Sequence, residues 1–273
     1  MTLTTSAFDW VRGVVEADAA IVLEPGKEYL VESRLAALAR QAGASSVSAY
    51  LEQVRPTADR RLRQQLVEAL TTNETSWFRD PAAFEMFEQT ILPELRRQRA
   101  ATRQVRVWSA ACSTGQEPYS LAMLLRETLA AEGWRSEIVG TDIDESVLAK
   151  AREGVYSQLE INRGLPAGKL VAYFTRSGTG WRVNDSLRPL VSFTRLNLAT
   201  ALPPTLGRFD VIFLRNVLIY FSIPTRQAIL QRIRAVCHPG AYLVLGSAET
   251  TLGIDDGWER MVVGRATCYR PRS

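Results

Sequence analysis

The chain has 273 residues, 46% of them hydrophobic and 23% charged, with a formal net charge of +4; these are values of a soluble globular protein forming one large domain or two smaller ones. No apolar run is long enough to span a bilayer, and the start of the chain lacks a basic stretch followed by an apolar block, so neither membrane insertion nor a secretory signal is expected, and a cytoplasmic location is. Three scattered cysteines and a single histidine, His238, exclude a disulfide framework and a zinc pattern, leave any Ser-His-Asp triad resting on His238 alone, and favour a cofactor enzyme.

The first 100 residues read as helices. Ser6 with Asp9 has the form of a capping box for the first helix. A second opens at Pro25 and closes at Gly43, with Val31, Leu35, Leu38 and Ala42 as its buried stripe. A third covers roughly 58–70, with Leu62, Leu66 and Ala69 inward. Asp80-Pro81 then caps a helix carrying Phe84, Phe87, Ile91 and Leu95. The run Arg96, Arg97, Arg99, Arg103 and Arg106 reads as a solvated helix end, not a nucleic-acid surface.

From about residue 103 strands and helices alternate. Strands are expected at 105–110, 137–143, 209–217 and 241–249, and helices at 118–133, 145–154 and 224–237. His238 follows the last of these helices and reads as a helix-terminal residue. A final strand or hairpin closes the chain. This is the pattern of a mostly parallel α/β sheet. The interval 155–195 breaks the rhythm and contains YFTRSGTGWRV, two short β runs around a glycine-rich turn, so a small β insertion is expected at about 160–195. The predicted domains are 1–80, all helical, and 81–273, a Rossmann-like sheet.

Ligands of such sheets lie beyond the C-terminal strand ends. The first strand leads into SAACSTGQEP (109–118), whose small residues allow close approach of backbone to a ligand. Gly115 is the only glycine there, against the pattern of a dinucleotide cradle, so a smaller nucleoside cofactor fits better. Asp142, ending the second strand, is placed to accept hydrogen bonds from both ribose hydroxyls; a turn or capping role is the alternative, for which Asp144 is better placed. Arg215-Asn216 ends an apolar strand, with Tyr220 one turn later. A polar pair there needs a ligand or a buried network to satisfy it.

Four segments, LTTNETSWFRDP (70–81), VWSAACSTGQEPYSLAM (107–123), TDIDESVLAKAREGVY (141–156) and FLRNVLIYF (213–221), together resemble the chemotaxis receptor methyltransferase (CheR) family in order and spacing, over nearly the whole chain. The resemblance implies a protein-glutamate O-methyltransferase that uses S-adenosyl-L-methionine, releases S-adenosyl-L-homocysteine, and acts as a monomer on the cytoplasmic methylation helices of chemoreceptors. It implies a cofactor site of Asn73, Thr75, Arg79, Glu117, Asp142, Asn197, Leu198, Arg215 and Asn216, with Arg79 and Tyr220 nearest the transferred methyl. A glutamate is ionised at neutral pH and needs no base; the task is in-line alignment, for which Arg79 can orient the carboxylate.

Departures from the family pattern concern docking. The second helix keeps Arg34 and Arg40 as docking candidates, but otherwise reads RLAALARQAG where enteric members are strongly basic. The turn in RSGTGWRV is short, as expected of a member that does not need a receptor C-terminal pentapeptide. GSAET (246–250) replaces a usual Gly-His-Ser-Glu. Two other readings remain: a nucleic-acid methyltransferase, which would account for the basic charge, and a non-catalytic cofactor-sensing or scaffold module.

Overall fold

The computed structural model describes residues 3–272. The chain divides into two compact units. One runs to Thr72 and takes in Tyr220–Thr225; the other comprises Asn73–Ile219 and the chain from Arg226 onward. The division falls after Thr72, so the motif at 73–80 belongs to the second unit.

The first unit holds α1 (Thr5–Ala19), α2 (Glu28–Gln41), α3 (Val47–Val54) and α4 (Arg60–Leu70). Thr4, not Ser6, caps α1, accepting the Ala7 N–H at 3.3 Å; Ser6 lies within the first turn and accepts from Arg55. Pro25 lies outside α2, because Gly26 at φ 85° makes a turn before the helix begins at Glu28. The buried stripe of α2 is Val31, Leu35 and Ala39, while Ala42 is exposed past the helix end. The helix α3 goes beyond the sequence reading; Ser46 caps it through the Ala49 N–H. In α4, Leu66, Val67 and Leu70 are buried, and Leu62 and Ala69 only partly so. Arg63 ties α4 to α1 with two bonds to the Asp18 carboxylate at 2.8 and 2.6 Å. Arg34 lies across the end of α4, donating to the Leu70 carbonyl at 2.8 Å, to the Thr71 carbonyl and to Thr72 Oγ1 at 3.0 Å. These bonds satisfy carbonyls that a helix end leaves open. Much of the Arg34 fork is therefore engaged inside the unit; Arg40, in the last turn of α2, is exposed. Residues 220–225 join this unit through a bridge of Phe221 to Ile21 and the Val22 N–H to the Tyr220 carbonyl at 2.9 Å.

The second unit opens with α5 (Pro81–Met86), a π turn at Phe87–Ile91 and α6 (Leu92–Gln98). Then follow β1 (Gln104–Ala110), α7 (Gln116–Leu129), β2 (Arg135–Asp142), α8 (Glu145–Glu153), β3 (Val155–Tyr156), α9 (Gln158–Asn162), α10 (Ala167–Tyr173), β4 (Phe174–Ser177), β5 (Gly180–Val183), β6 (Val191–Arg195) and β7 (Phe209–Leu214). The chain ends with α11 (Ile223–Ala235), which begins in the first unit, and then β8 (Cys237–Leu245), β9 (Trp258–Val263) and β10 (Ala266–Pro271). The main sheet has the order β6-β2-β1-β7-β8-β10-β9. Its first five strands are parallel, and β10 and β9 close it antiparallel. All six residues of β7 are buried, as expected of a strand covered on both faces. The order reverses between β1 and β7, the switch point at which such sheets bind ligands.

Three expectations change here. The β insertion is a three-stranded sheet, β3-β5-β4, spanning 155–183, while Val191–Arg195 returns to the edge of the main sheet. His238 lies within β8, not at a helix end, because α11 stops at Ala235. The arginine run is paired: Arg96 with Glu132, Arg97 with Glu94, Arg99 with the buried Asp210 and Arg106 with Glu137, while Arg103 donates to the Glu132 carbonyl.

Candidate cofactor and methyl-transfer site

The site forms where β1, β2, β6 and β7 end. After β1 the backbone turns sharply, with Ala111 at φ 60°, Ser113 at 50° and Gly115 at 93°. A side chain at Gly115 would meet the Ala151 Cβ at 2.9 Å and the Tyr156 hydroxyl at 3.0 Å, so glycine is required for packing as well as for φ. Glu117, in the first turn of α7, accepts from Ser109 Oγ at 2.7 Å and from Arg215 at 3.0 Å.

Asp142 ends β2 and is 7% exposed. Its carboxylate accepts the Ser113 N–H at 2.8 Å and the Asp144 N–H at 3.1 Å, one on each oxygen. Burial nevertheless raises its pKa to about 6, outweighing these hydrogen bonds. Asp144 caps α8 through Ser146 and Val147, leaving Asp142 free of that task. Its other oxygen accepts from the Asn73 amide at 2.7 Å. Asn197 and Leu198 follow β6, where the Leu196 N–H donates to the Asp142 carbonyl at 2.8 Å.

The segment 73–80 is pinned along its length onto these strand ends. Ser113 Oγ donates to the Asn73 carbonyl at 2.8 Å, the Trp77 N–H to the Arg163 carbonyl at 3.1 Å, and the Phe78 N–H to Ser120 Oγ at 3.2 Å. Trp77 is buried edge-on against Tyr156 and Phe174. Any residue larger than glycine at 164 would place a Cβ 2.3 Å from the Trp77 carbonyl oxygen. Phe78 and Asp80 take positive φ, 47° and 56°, conformations that persist only under such restraint. Between them Arg79 is half-buried, with one nitrogen donating to the Glu74 carbonyl at 2.8 Å. Thr75 lies half-buried in the same segment.

Arg215, after β7, joins these parts. It is buried, and it donates to Glu117, to the Arg79 carbonyl at 2.7 Å and to the Asp80 carboxylate at 2.6 Å. Asp80 thus serves as an ion-pair partner, with no side-chain cap on α5, because its positive φ takes it out of the capping conformation. Asn216 takes φ 57°. The turn it begins is held by Glu249, whose carboxylate accepts four backbone N–H groups: Asn216 at 2.6 Å, Val217 at 2.9 Å, Leu218 at 2.7 Å and Gly246 at 2.8 Å. The sequence marks out GSAET (246–250) only as a departure from the family pattern and gives Glu249 no role, although an acidic residue just past a parallel strand is the available signal.

Asn73, Thr75, Arg79, Glu117, Asp142, Asn197, Leu198, Arg215 and Asn216 all lie in the second unit, and the hydrogen bonds above connect most of them. Tyr220, Arg34 and Arg40 belong to the helical unit. The cysteine thiols are buried and their pKa values raised by burial, that of Cys112 strongly, Cys237 to about 12 and Cys268 to about 11; none is a ready thiolate. Residues 73–267 match the family model for the CheR methyltransferase SAM binding domain, and residues 6–71 the model for its all-alpha domain.

The chain belongs to the CheR methyltransferase family. It is 40% identical to chemotaxis protein methyltransferase 1 of Pseudomonas aeruginosa over all of both chains. It is 38% identical to chemotaxis protein methyltransferase Cher2 of Pseudomonas putida, covering 97% of this chain and 98% of that one. The Escherichia coli chemotaxis protein methyltransferase is 36% identical, with 91% and 86% covered. As a CheR-type enzyme it uses S-adenosylmethionine. The residues present fit that cofactor: each Asp142 oxygen already has one backbone donor and keeps a lone pair for a ribose hydroxyl. Glu117 offers an acceptor for an ammonium group, and the donors around Arg79 suit a carboxylate.

Proposed function

We propose that this CheR-type enzyme transfers a methyl group to glutamate side chains of chemoreceptors in the cytoplasm, forming glutamyl methyl esters. The acceptor rests on one observation, the match over its full length to a chemotaxis protein methyltransferase. Asp142, Asn197 and Leu198 hold the nucleoside end of the cofactor, and Asn73, Thr75, Glu117, Arg215 and Asn216 the amino-acid end. When bound, the cofactor supplies an electrophilic methyl on a sulfonium.

The receiving carboxylate is already ionised at neutral pH, so no side chain has to remove a proton. Arg79 orients that carboxylate with the donors it does not spend on Glu74. The backbone around Arg79 is fixed by Arg215 and Ser120, so the guanidinium stem starts from a fixed point. Alignment of this kind is worth orders of magnitude in rate. Protein, not nucleic acid, is the acceptor; the paired arginines at 96–106 are engaged with carboxylates and a backbone carbonyl of the same unit, which favours this reading.

The β4–β5 turn contains only Gly178 and Thr179, which supports recognition without a receptor pentapeptide. The test is incubation with labelled cofactor and membranes from the source cell. Base-labile label on a receptor-sized band is expected, and it should persist on a receptor lacking its last five residues. Base-stable label, or label on nucleic acid, would overturn the acceptor.

A further inference from the structure

A cavity of about 410 Å³ is lined by Arg215, the Asp80 end of α5, the 246–250 turn and the β9–β10 hairpin. Its lining includes the buried Arg215 and its ion-pair partner, the partly exposed Asp80. Its outer wall carries Arg260 and Arg265, both exposed. Among the described residues their side chains make a single hydrogen bond, a long 3.5 Å contact from Arg260 to Thr267 Oγ1.

The two carboxylates of the lining are both engaged: Asp80 by Arg215, Glu249 by its four backbone N–H groups. The open cavity therefore presents the positive charge of Arg260 and Arg265. Its shape is built in advance. Glu249 locks the turn, so that Ser247 and Ala248 stand outward and exposed. The hairpin is set by the two-residue turn Gly264-Arg265 between the paired Val263 and Ala266, with Gly264 at φ 58° as such turns require. Arg215 links the cavity to the methyl-transfer site, lining the one and holding the Arg79 carbonyl of the other.

We infer that this cavity docks an acidic segment of the protein substrate flanking the glutamate to be methylated. Charge complementarity and its junction with Arg79 through Arg215 carry the assignment, which rests on the protein-glutamate reading above. Salt-screened guanidinium contacts of this kind act on substrate capture, not on the chemical step.

The test uses the full chain and a soluble cytoplasmic receptor fragment carrying its methylation helices. Arg260→Glu/Arg265→Glu, and separately Ser247→Glu, should each raise KM for the fragment at least fivefold. Both should leave kcat within twofold and cofactor affinity by calorimetry unchanged. Raising salt should increase the wild-type KM and lower that of the double variant, whose carboxylates repel the acidic segment. Wild-type transfer with the same KM in both variants overturns the docking role, as does a loss of cofactor affinity equal to the loss of activity. Failure of the wild type to methylate the fragment overturns the acceptor reading itself, and the inference with it.

Discussion

Asp142 shows what one residue decides at the end of a strand. Burial holds its carboxyl at a pKa of about 6, above the ordinary value of 3.8. The folded apo-protein therefore binds a proton that the unfolded chain releases, so this residue's contribution to stability is full below 3.8 and is lost as pH rises through 6. Cofactor hydroxyls favour the ionised form, so binding below pH 6 must release a proton. The dissociation constant should rise up to tenfold per pH unit as pH falls from 6 to 5, and Asp142→Asn should flatten that dependence; calorimetry across pH 5–8 measures both. Arg79 makes the complementary case. If its fork acts on the acceptor as proposed, Arg79→Ala should cut kcat on the order of 10²-fold, while cofactor affinity falls far less. Methyl transfer near the wild-type rate would remove Arg79 from its role.

At the scale of elements, two charged residues act on backbone ends. Glu249 gathers four N–H groups of two turns that carry Arg215-Asn216 on one side and Ser247 on the other. Glu249→Ala leaves those donors without their acceptor, a loss of about 3 kcal/mol in stability. Cofactor affinity should fall about tenfold because Asn216 loses the restraint on its positive φ; thermal melts and calorimetry on one preparation read the two effects. Arg34 does the opposite job, donating to the carbonyls that end α4. Arg34→Ala should lower stability by about 1–3 kcal/mol. If Arg34 served docking alone, its removal would shift receptor KM and leave the melting temperature where it was.

At the scale of the whole molecule, neither unit contains a helix long and apolar enough to cross a membrane among the described residues. The protein should sediment as a single species at its monomer mass of 30.4 kDa; a stable dimer would contradict that expectation. The two units differ in how legible they were. The alternating strands and helices after residue 103 follow from local pattern, since a strand buried on both faces reads as a continuous apolar run, as FDVIFL does. In the helical unit the element boundaries depend on caps and turns such as Thr4, Gly26 and Ser46 that one residue can shift.

Composition and motif determined, without coordinates, that the chain would build a nucleoside-cofactor sheet and that Asp142 and Arg215-Asn216 would stand at strand ends. Those features are local: strand periodicity, a turn of small residues and an acidic strand terminus recur at fixed places along the chain. The partners across long sequence separations came only with the fold. Arg215 meets Asp80 from 135 residues away, Arg34 meets Thr71, and Glu249 meets Asn216. Sequence spacing carries no information about which buried carboxylate will neutralise which guanidinium. That choice is made when packing removes water and each buried charge must find an acceptor or a donor.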